Sequence, residues 1–345
     1  MNKEFLYEML STASVSGNEV ELEEKIYKFM KSRVEEVRSD EIGNVIAVLN
    51  PESKFKVLLS GHADEIGLMV TAVLETGMLK VVGIGGIYVT CYPGQKVQVH
   101  TKNGVVYGAV CNNRELSKKS DMTVKDLTID IGANSKEDAL KAIALGDTIT
   151  FDTEYRELLN DGICGRALDD RVGAFIVMEA LNLAKEKGCK VGAYSAATVG
   201  EETTRNGAYF VGARIKPTLA VAVDVTYASD EPGIDIASTG DIKVGAGPVI
   251  CNNPSIHKKI NAKLYKAAEN LGMKVQTEAA NGRTGTDGDT IHLSGEGVPF
   301  ALVSIPLRYM HTPAEVGSLK DIQDCIELLA EFLCSFTGEE CLKFF

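Results

Sequence analysis

The sequence predicts an α/β fold: a mixed, mostly parallel sheet flanked by helices, with a small β-barrel-like domain inserted into it. Three observations predict this. Short runs rich in Val, Ile and Leu alternate with amphipathic helical segments toward both ends of the chain, the rhythm of strand-helix-strand units. Between about residues 67 and 161 that rhythm gives way to brief β-type runs separated by glycine and asparagine turns. Finally, 345 residues with 45% hydrophobic and 24% charged side chains exceed one ordinary core while keeping the balance of a water-soluble globular protein. The expected division is a discontinuous α/β domain, residues 1–66 and 162–345, interrupted by a β-rich domain, residues 67–161.

At the amino end Phe5, Leu6 and Met9 share one helical face. Ser16, with Glu19 three residues on, reads as a capping box ahead of a second helix carrying Val20, Ile26, Phe29, Met30 and Val34. After Gly43, Val45 to Leu49 and Phe55 to Ser60 have the unbroken apolar character of strands covered on both faces. In the middle region strands are expected at Leu68 to Val73, Leu79 to Val82, Val97 to His100, Val105 to Val110 and Leu127 to Ile131. One helix starts there at Ser135, with Asp138 at the capping position, and ends before Gly146. The alternation then resumes: a helix from about Asp170 to Lys187 closed by Gly188, strands at Val191 to Val199 and Leu219 to Val223, and a helix capped by Asn253 or Ser255 that runs to Leu271. A strand at Phe300 to Leu307 and an amphipathic helix from Leu319 to Phe336 complete the series.

Composition excludes several functions. Lys plus Arg number 36 against 48 Asp plus Glu, a formal charge of −12 that repels phosphate backbones, so no nucleic-acid partner is expected. No apolar run nears the roughly 18 residues a membrane span needs, and Lys3, Glu4 and Glu8 occupy a stretch that a secretory signal would keep apolar. No membrane association is expected. The eight cysteines are scattered without a Cys-x-x-Cys pair, the usage of reduced thiols in a cytoplasmic protein.

Chemistry enters through where polar residues fall relative to the apolar runs. His62 and Asp64 follow one strand, Glu201 and Glu202 a second, Asp224 a third and His311 a fourth, while Asp169 and Asp170 open a helix. In a parallel arrangement the carboxyl ends of those strands share one sheet edge, where open α/β proteins build their sites. Each fragment alone has a plain structural reading: a histidine bonded to a nearby aspartate, a helix cap, a solvated turn. Their joint placement favours a site. That many carboxylates at one place repel unless a cation joins them. Mixed nitrogen and oxygen donors favour zinc, with cobalt or manganese as alternatives, over calcium or magnesium. Three ligating carboxylates and a hydroxide balance two divalent metal ions, and a pair roughly 3.5 to 4 Å apart is a common hydrolytic clamp.

Other motifs carry less. Gly83-Ile84-Gly85-Gly86 is not followed by a helix and no Gly-Lys-Ser/Thr occurs, so these glycines read as turns rather than a phosphate cradle. The loop Gly282 to Gly288 either enters a helix capped by Thr286 or Asp287 or lines a pocket. His100, His257 and His292 read as structural.

The segments Ser60-Gly61-His62-Ala63-Asp64-Glu65-Ile66-Gly67, Ala167-Leu168-Asp169-Asp170-Arg171, Glu201-Glu202, Ala222-Val223-Asp224-Val225-Thr226, Gly285-Thr286-Asp287 and His311-Thr312-Pro313-Ala314-Glu315 span almost the whole chain. Together, in this order, they closely resemble the tetrahedral (TET) dinuclear-metal aminopeptidases, also called the glutamyl aminopeptidase family, some of whose members carry endoglucanase labels. The resemblance implies a zinc-peptidase type of α/β fold. It implies that His62, Asp169 and Asp224 hold one metal and Asp169, Glu202 and His311 the other, with Asp169 bridging. It assigns Asp64 to steering His62 and Glu201 to the general base, which deprotonates the water that attacks the first peptide carbonyl. It implies short peptides as substrates, an inserted domain used for dimerisation and assembly, and a homo-oligomer in the form of a tetrahedral dodecamer. The chain departs from the family in having Gly200 for a usual Gln, Thr203-Thr204 for Val-Gly, no Pro-Pro-His between Cys111 and Lys119, and Gly288 for alanine. No ligand or base is removed, so these departures bear on pocket shape and substrate preference.

Three rival functions follow from the same residues. A dinuclear-metal carboxypeptidase or acyl-amino-acid deacylase would need a basic clamp, for which Arg171, Arg205, Arg283 and Arg308 are near the motifs. An endoglucanase would want two carboxyl groups at least about 5 Å apart and leaves both histidines unexplained. A non-catalytic metal-dependent scaffold would bind metal and hydrolyse nothing.

Overall fold

The structure, a computed structural model, describes residues 1–345 apart from the side chains of residues 238 and 239. Three strands come first, β1 (Glu36–Ser39), β2 (Val45–Leu49) and β3 (Lys56–His62). The next six are β4 (Gly67–Val73), β5 (Leu79–Ile84), β6 (Lys96–Thr101), β7 (Gly104–Val110), β8 (Ile129–Asp130) and β9 (Thr148–Phe151). They close into an antiparallel barrel in the order β4-β5-β8-β7-β6-β9 around Leu68, Val99, Ile129 and Ile149. The rest are β10 (Arg156–Glu157), β11 (Gly162–Gly165), β12 (Gly192–Thr198), β13 (Leu219–Tyr227), β14 (Val249–Asn252), β15 (Gln276–Ala279), β16 (Phe300–Leu307) and β17 (Glu315–Ser318).

Eight strands build one mixed sheet, β1-β2-β12-β3-β13-β16-β14-β15. Its centre, β12-β3-β13-β16, is parallel, while β2 runs antiparallel to β12 and β14 to β16. The α/β class with a barrel between its halves is therefore the one observed, and four strands deliver their carboxyl ends to one edge.

The helices are α1 (Lys3–Ser11), α2 (Val20–Lys31), α3 (Lys136–Ala142), α4 (Leu168–Glu186), α5 (Asn206–Ile215), α6 (Ile236–Thr239), α7 (Lys258–Leu271), α8 (Gly288–Ile291) and α9 (Leu319–Cys334). α4 packs against β3, β12 and β13 on one side and α9 on the other, so nearly every face of it is apolar and buried. Its start lies close against β3: a Cβ on Gly61 would stand 2.5 Å from the Gly173 carbonyl carbon. Only glycine permits that approach, which brings Asp169 over the end of β3.

Several local expectations fail for identifiable reasons. The capping box at Ser16 and Glu19 does not form, because the Ser16 hydroxyl donates to Asp64 and the Glu19 carboxylate accepts the Gly17 N–H. Neither Asn253 nor Ser255 caps α7; the Asn253 side chain accepts from Ser255 and the helix begins after His257. Asp287 does not cap α8, since its carboxylate is taken by the Ser60 and Thr198 hydroxyls. β13 runs on through Asp224 to Tyr227, held by pairing with β16 as far as Leu307. Helix α5 and strand β9 were not anticipated. The Thr-Thr-Arg-Asn-Gly run across the start of α5 reads as a turn, and Arg205 precedes the helix in the left-handed region without a side-chain cap.

Candidate metal centre

Every residue singled out for metal binding lies at the same sheet edge. His62 ends β3, Asp169 opens α4, Glu201 and Glu202 sit in the turn after β12, Asp224 is in β13 and His311 follows β16. His62 Nε2 stands 3.3 Å from one oxygen of Asp169, and His311 Nε2 stands 3.2 Å from the other. Around this pair His62 Nε2 is 4.0 Å from Asp224 Oδ1, and His311 Nε2 is 3.8 Å from Glu202 Oε1. Asp169 thus presents a different oxygen to each imidazole.

The tautomers follow from the other ring nitrogens. His62 Nδ1–H donates to the Asp64 carbonyl at 3.1 Å, and His311 Nδ1–H donates to the Gly86 carbonyl at 2.8 Å. A carbonyl only accepts, so each neutral ring presents a bare Nε2 lone pair to a carboxylate oxygen. Two acceptors facing each other at that distance require something positive between them.

The titration behaviour has the same sense. Burial disfavours a charged His62, yet its hydrogen bonds to Asp169 and Asp64 outweigh burial and hold its pKa well above the imidazole range. For His311 burial is likewise overcome by Asp169. Burial, and then the charge of Asp169, pushes Glu202 far up; Asp224 is raised by burial, against the opposing pull of His62. Asp169 goes the other way, because its bonds to His311 and His62 exceed the cost of burial. The cluster therefore draws protons to the very atoms a cation would occupy, and its donor set fits divalent metal ions. Donor atoms of His62, Asp169 and Glu202 lie within 4.8 Å of one another, as do those of His62, Asp170 and Asp224. Asp170 is the weaker member of that second set: its oxygens already accept the His62 N–H at 3.2 Å and the Gly173 N–H at 3.1 Å.

Supporting groups hold the edge in place. The fully buried Asp64 accepts the Glu201 N–H at 3.0 Å and the Glu202 N–H at 3.1 Å, besides the Ser16 hydroxyl. Its carboxylate is 3.4 Å from His62 Nδ1, so it touches both halves of the site. Arg205 pairs with Glu201 Oε1, leaving Oε2 3.9 Å from His62 Nε2. Burial is the main reason that Glu201 is raised to about 7.

Three features at the site were given no part in it by sequence reasoning. Glu315 accepts the Asp169 N–H at 3.1 Å and the His311 N–H at 2.8 Å, and burial raises it to about 8. Its place four residues after His311 was the available signal. Gly85 and Gly86, read only as turns, carry the barrel to the site; a Cβ on Gly86 would lie 2.9 Å from the His311 ring. Asp287 accepts the Ser60 and Thr198 hydroxyls through Oδ2, with Oδ1 unpartnered among the described residues. The histidines read as structural are apart from the cluster: His100 bonds to Thr150, His292 to the Val298 carbonyl, and His257 stacks on Phe344.

Beside Glu201 and Glu202 opens a cavity of about 690 Å³, lined by Thr203, Thr204, Arg205, Arg283, His292 and Phe300 among others. The loop from Gly282 contributes to its wall. Gly288, where the family usually has alanine, leaves room for the Phe300 ring: a Cβ there would be 2.4 Å from it.

A parallel sheet edge on which two imidazoles meet the two oxygens of one shared carboxylate carries the donor set of a metal-dependent α/β hydrolase. Comparison with known proteins narrows it. The profile of the M42 glutamyl aminopeptidase family matches residues 43–328, so the chain belongs to that family of peptide hydrolases. A protein of Acetivibrio thermocellus, provisionally named an aminopeptidase, is 35% identical over 341 residues, covering 97% of this chain and 100% of its own. An aminopeptidase from the archaeon Desulfurococcus kamchatkensis superposes with a TM-score of 0.91 at 33% identity, over 97% of this chain and 95% of that one. The Pyrococcus horikoshii TET1 peptidase, described as assembling into a tetrahedron or a large octahedral shell, gives 0.86 at 29% identity, over 97% and 99%.

Proposed function

We propose that this aminopeptidase removes amino-terminal residues from short peptides with two divalent cations, zinc first and cobalt or manganese as alternatives. The observation that carries the reading is the pair of imidazoles facing the two oxygens of Asp169. His62, Asp169 and Asp224 would hold one ion and Asp169, Glu202 and His311 the other. Bound there, the ions would supply an acidified water and positive charge for the developing oxyanion.

The chain's own groups do the rest. Arg205 fixes one oxygen of Glu201 and leaves Oε2 on the cluster side. A carboxylate raised to about 7 by burial takes up a proton near neutral pH and returns it to the leaving amine. Asp64 holds the backbone of Glu201 and Glu202, and with it the distance between base and ligands. A free α-amino group suits this acidic pocket, and an acylated one does not.

The rival functions find less support. Of the four arginines a carboxylate clamp could use, Arg171 is buried against Glu65, Arg205 is tied to Glu201 and Arg308 to Asp230, which leaves Arg283. An endoglucanase groove would want aromatics, and the cavity beside Glu201 offers Phe300 alone of Phe, Tyr and Trp. Hydrolysis of aminoacyl anilides compared with N-acetylated amino acids tests the choice: we expect turnover of the anilides only, and preferential release of acetate would sustain the deacylase.

The same proposal covers assembly and location. Residues 67–161 would form a domain for dimerisation, with Val105 and Tyr107 of β7 as exposed apolar positions, within a tetrahedral dodecamer. The absence of disulfides among eight cysteines, and of any helix long and apolar enough to cross a membrane among the described residues, supports work in the cytoplasm.

A further inference from the structure

Two of the free cysteines, far apart in sequence, are neighbours in space. Cys189 lies in the turn between α4 and β12, and Cys334 is the last residue of α9. Both converge on the end of α4. The Cys189 N–H donates to the Ala184 carbonyl at 2.9 Å, and the Cys334 thiol donates to that same carbonyl at 3.7 Å. The Cys189 thiol reaches back to the carbonyl of Leu333, the residue before Cys334, at 3.6 Å. The Cys189 sulfur thus reaches the backbone beside Cys334, and the Cys334 sulfur reaches the carbonyl that holds the Cys189 N–H, so the two thiols share one small volume. Cys189 is the partner that ionises: the neighbouring Cys334 thiol is the largest influence and takes it down to about 7. It is 9% exposed, within reach of a small oxidant, and Cys334 is only partly buried.

We propose that Cys189 and Cys334 form a redox modification site, converted by hydrogen peroxide into a disulfide that joins the end of α9 to the turn launching β12. The Cys189 thiolate attacks one peroxide oxygen and the O–O bond breaks. With the proton lost on ionisation, the products are a sulfenic acid and one water. The Cys334 sulfur then attacks the Cys189 sulfur, the S–O bond breaks, and the hydroxyl leaves with the Cys334 proton as a second water. Two thiols lose two electrons and the peroxide gains them. The link would restrain the unfolded chain over the whole stretch from β12 to α9, which contains Glu201, Glu202, Asp224 and His311.

Mild peroxide treatment of the intact protein, alkylation of the remaining thiols and peptide mapping without reductant test the site. The expected result is a peptide linking Cys189 to Cys334 that dithiothreitol abolishes, together with a higher Tm for the oxidised protein. Recovery of both cysteines as alkylated thiols overturns the proposal, as does their separate conversion to sulfinic or sulfonic acids or a link from either to another cysteine. An oxidised chain whose Tm does not rise overturns the stabilising part. The map is read on the natural chain, so it stands whether or not C189S folds.

Discussion

At the scale of single residues, Asp169 is the pivot, because each of its oxygens meets a different imidazole. Its neighbours divide into groups that would hold cations and groups that would move or place a proton. Glu201 would belong to the second kind, since Arg205 occupies one of its oxygens and burial keeps it near 7. Glu201→Gln preserves shape and the N–H bound by Asp64. It should retain the metal content of the natural chain and lose turnover by about 10²- to 10⁴-fold, read as kcat on an aminoacyl anilide alongside elemental analysis. Undiminished kcat would remove Glu201 from the role of base. The proposed ligands were legible in the sequence because His62, Glu202, Asp224 and His311 follow apolar runs and Asp169 opens a helix. The part played by Glu315 was not: it accepts backbone N–H groups of Asp169 and His311, and such partners become visible only in the folded chain.

Among elements, the strand ends decide the site, and their apolar runs were strong enough to be read directly. β2, β3, β12, β13 and β16 all fall where Val, Ile, Leu and Ala cluster. What was lost lies in short or weakly marked pieces: β9 has four residues, and α5 lacks both a capping side chain and a charged first turn. Helix α2 hides a pH-dependent term. Burial raises Glu19 to about 7 and Glu23 to about 8, and for Glu23 the charges of Glu19 and Asp40 add to it. Both folded values exceed the ordinary 4.5, so the folded chain holds more protons than the unfolded one between those limits. Stability from these groups is present in acid and is lost as pH rises toward 8. Tm measured from about pH 5 to pH 8 should therefore decline less in Glu23→Gln than in the natural chain. Parallel curves would show that Glu23 titrates normally.

Over the whole molecule, the barrel touches the candidate site as well as being a candidate for assembly. The Gly86 carbonyl that fixes the tautomer of His311 belongs to the loop after β5 of the barrel, so the barrel contributes to a site built on the sheet. The change of texture near residue 67 coincides with the first strand of the barrel, whereas this contact between distant parts left no mark in composition. If the barrel drives assembly as proposed, light scattering should report a particle near twelve chains of 37.1 kDa; a monomer at micromolar concentration would contradict it. The central claim is that acids and imidazoles from four strand ends and one helix meet around two cations that make the protein a peptidase. Titrating zinc into chelated protein while following aminoacyl anilide hydrolysis tests it most directly. Activity should vanish on chelation and return to a plateau at two equivalents of metal per chain; hydrolysis that persists in protein shown to be free of metal would contradict it.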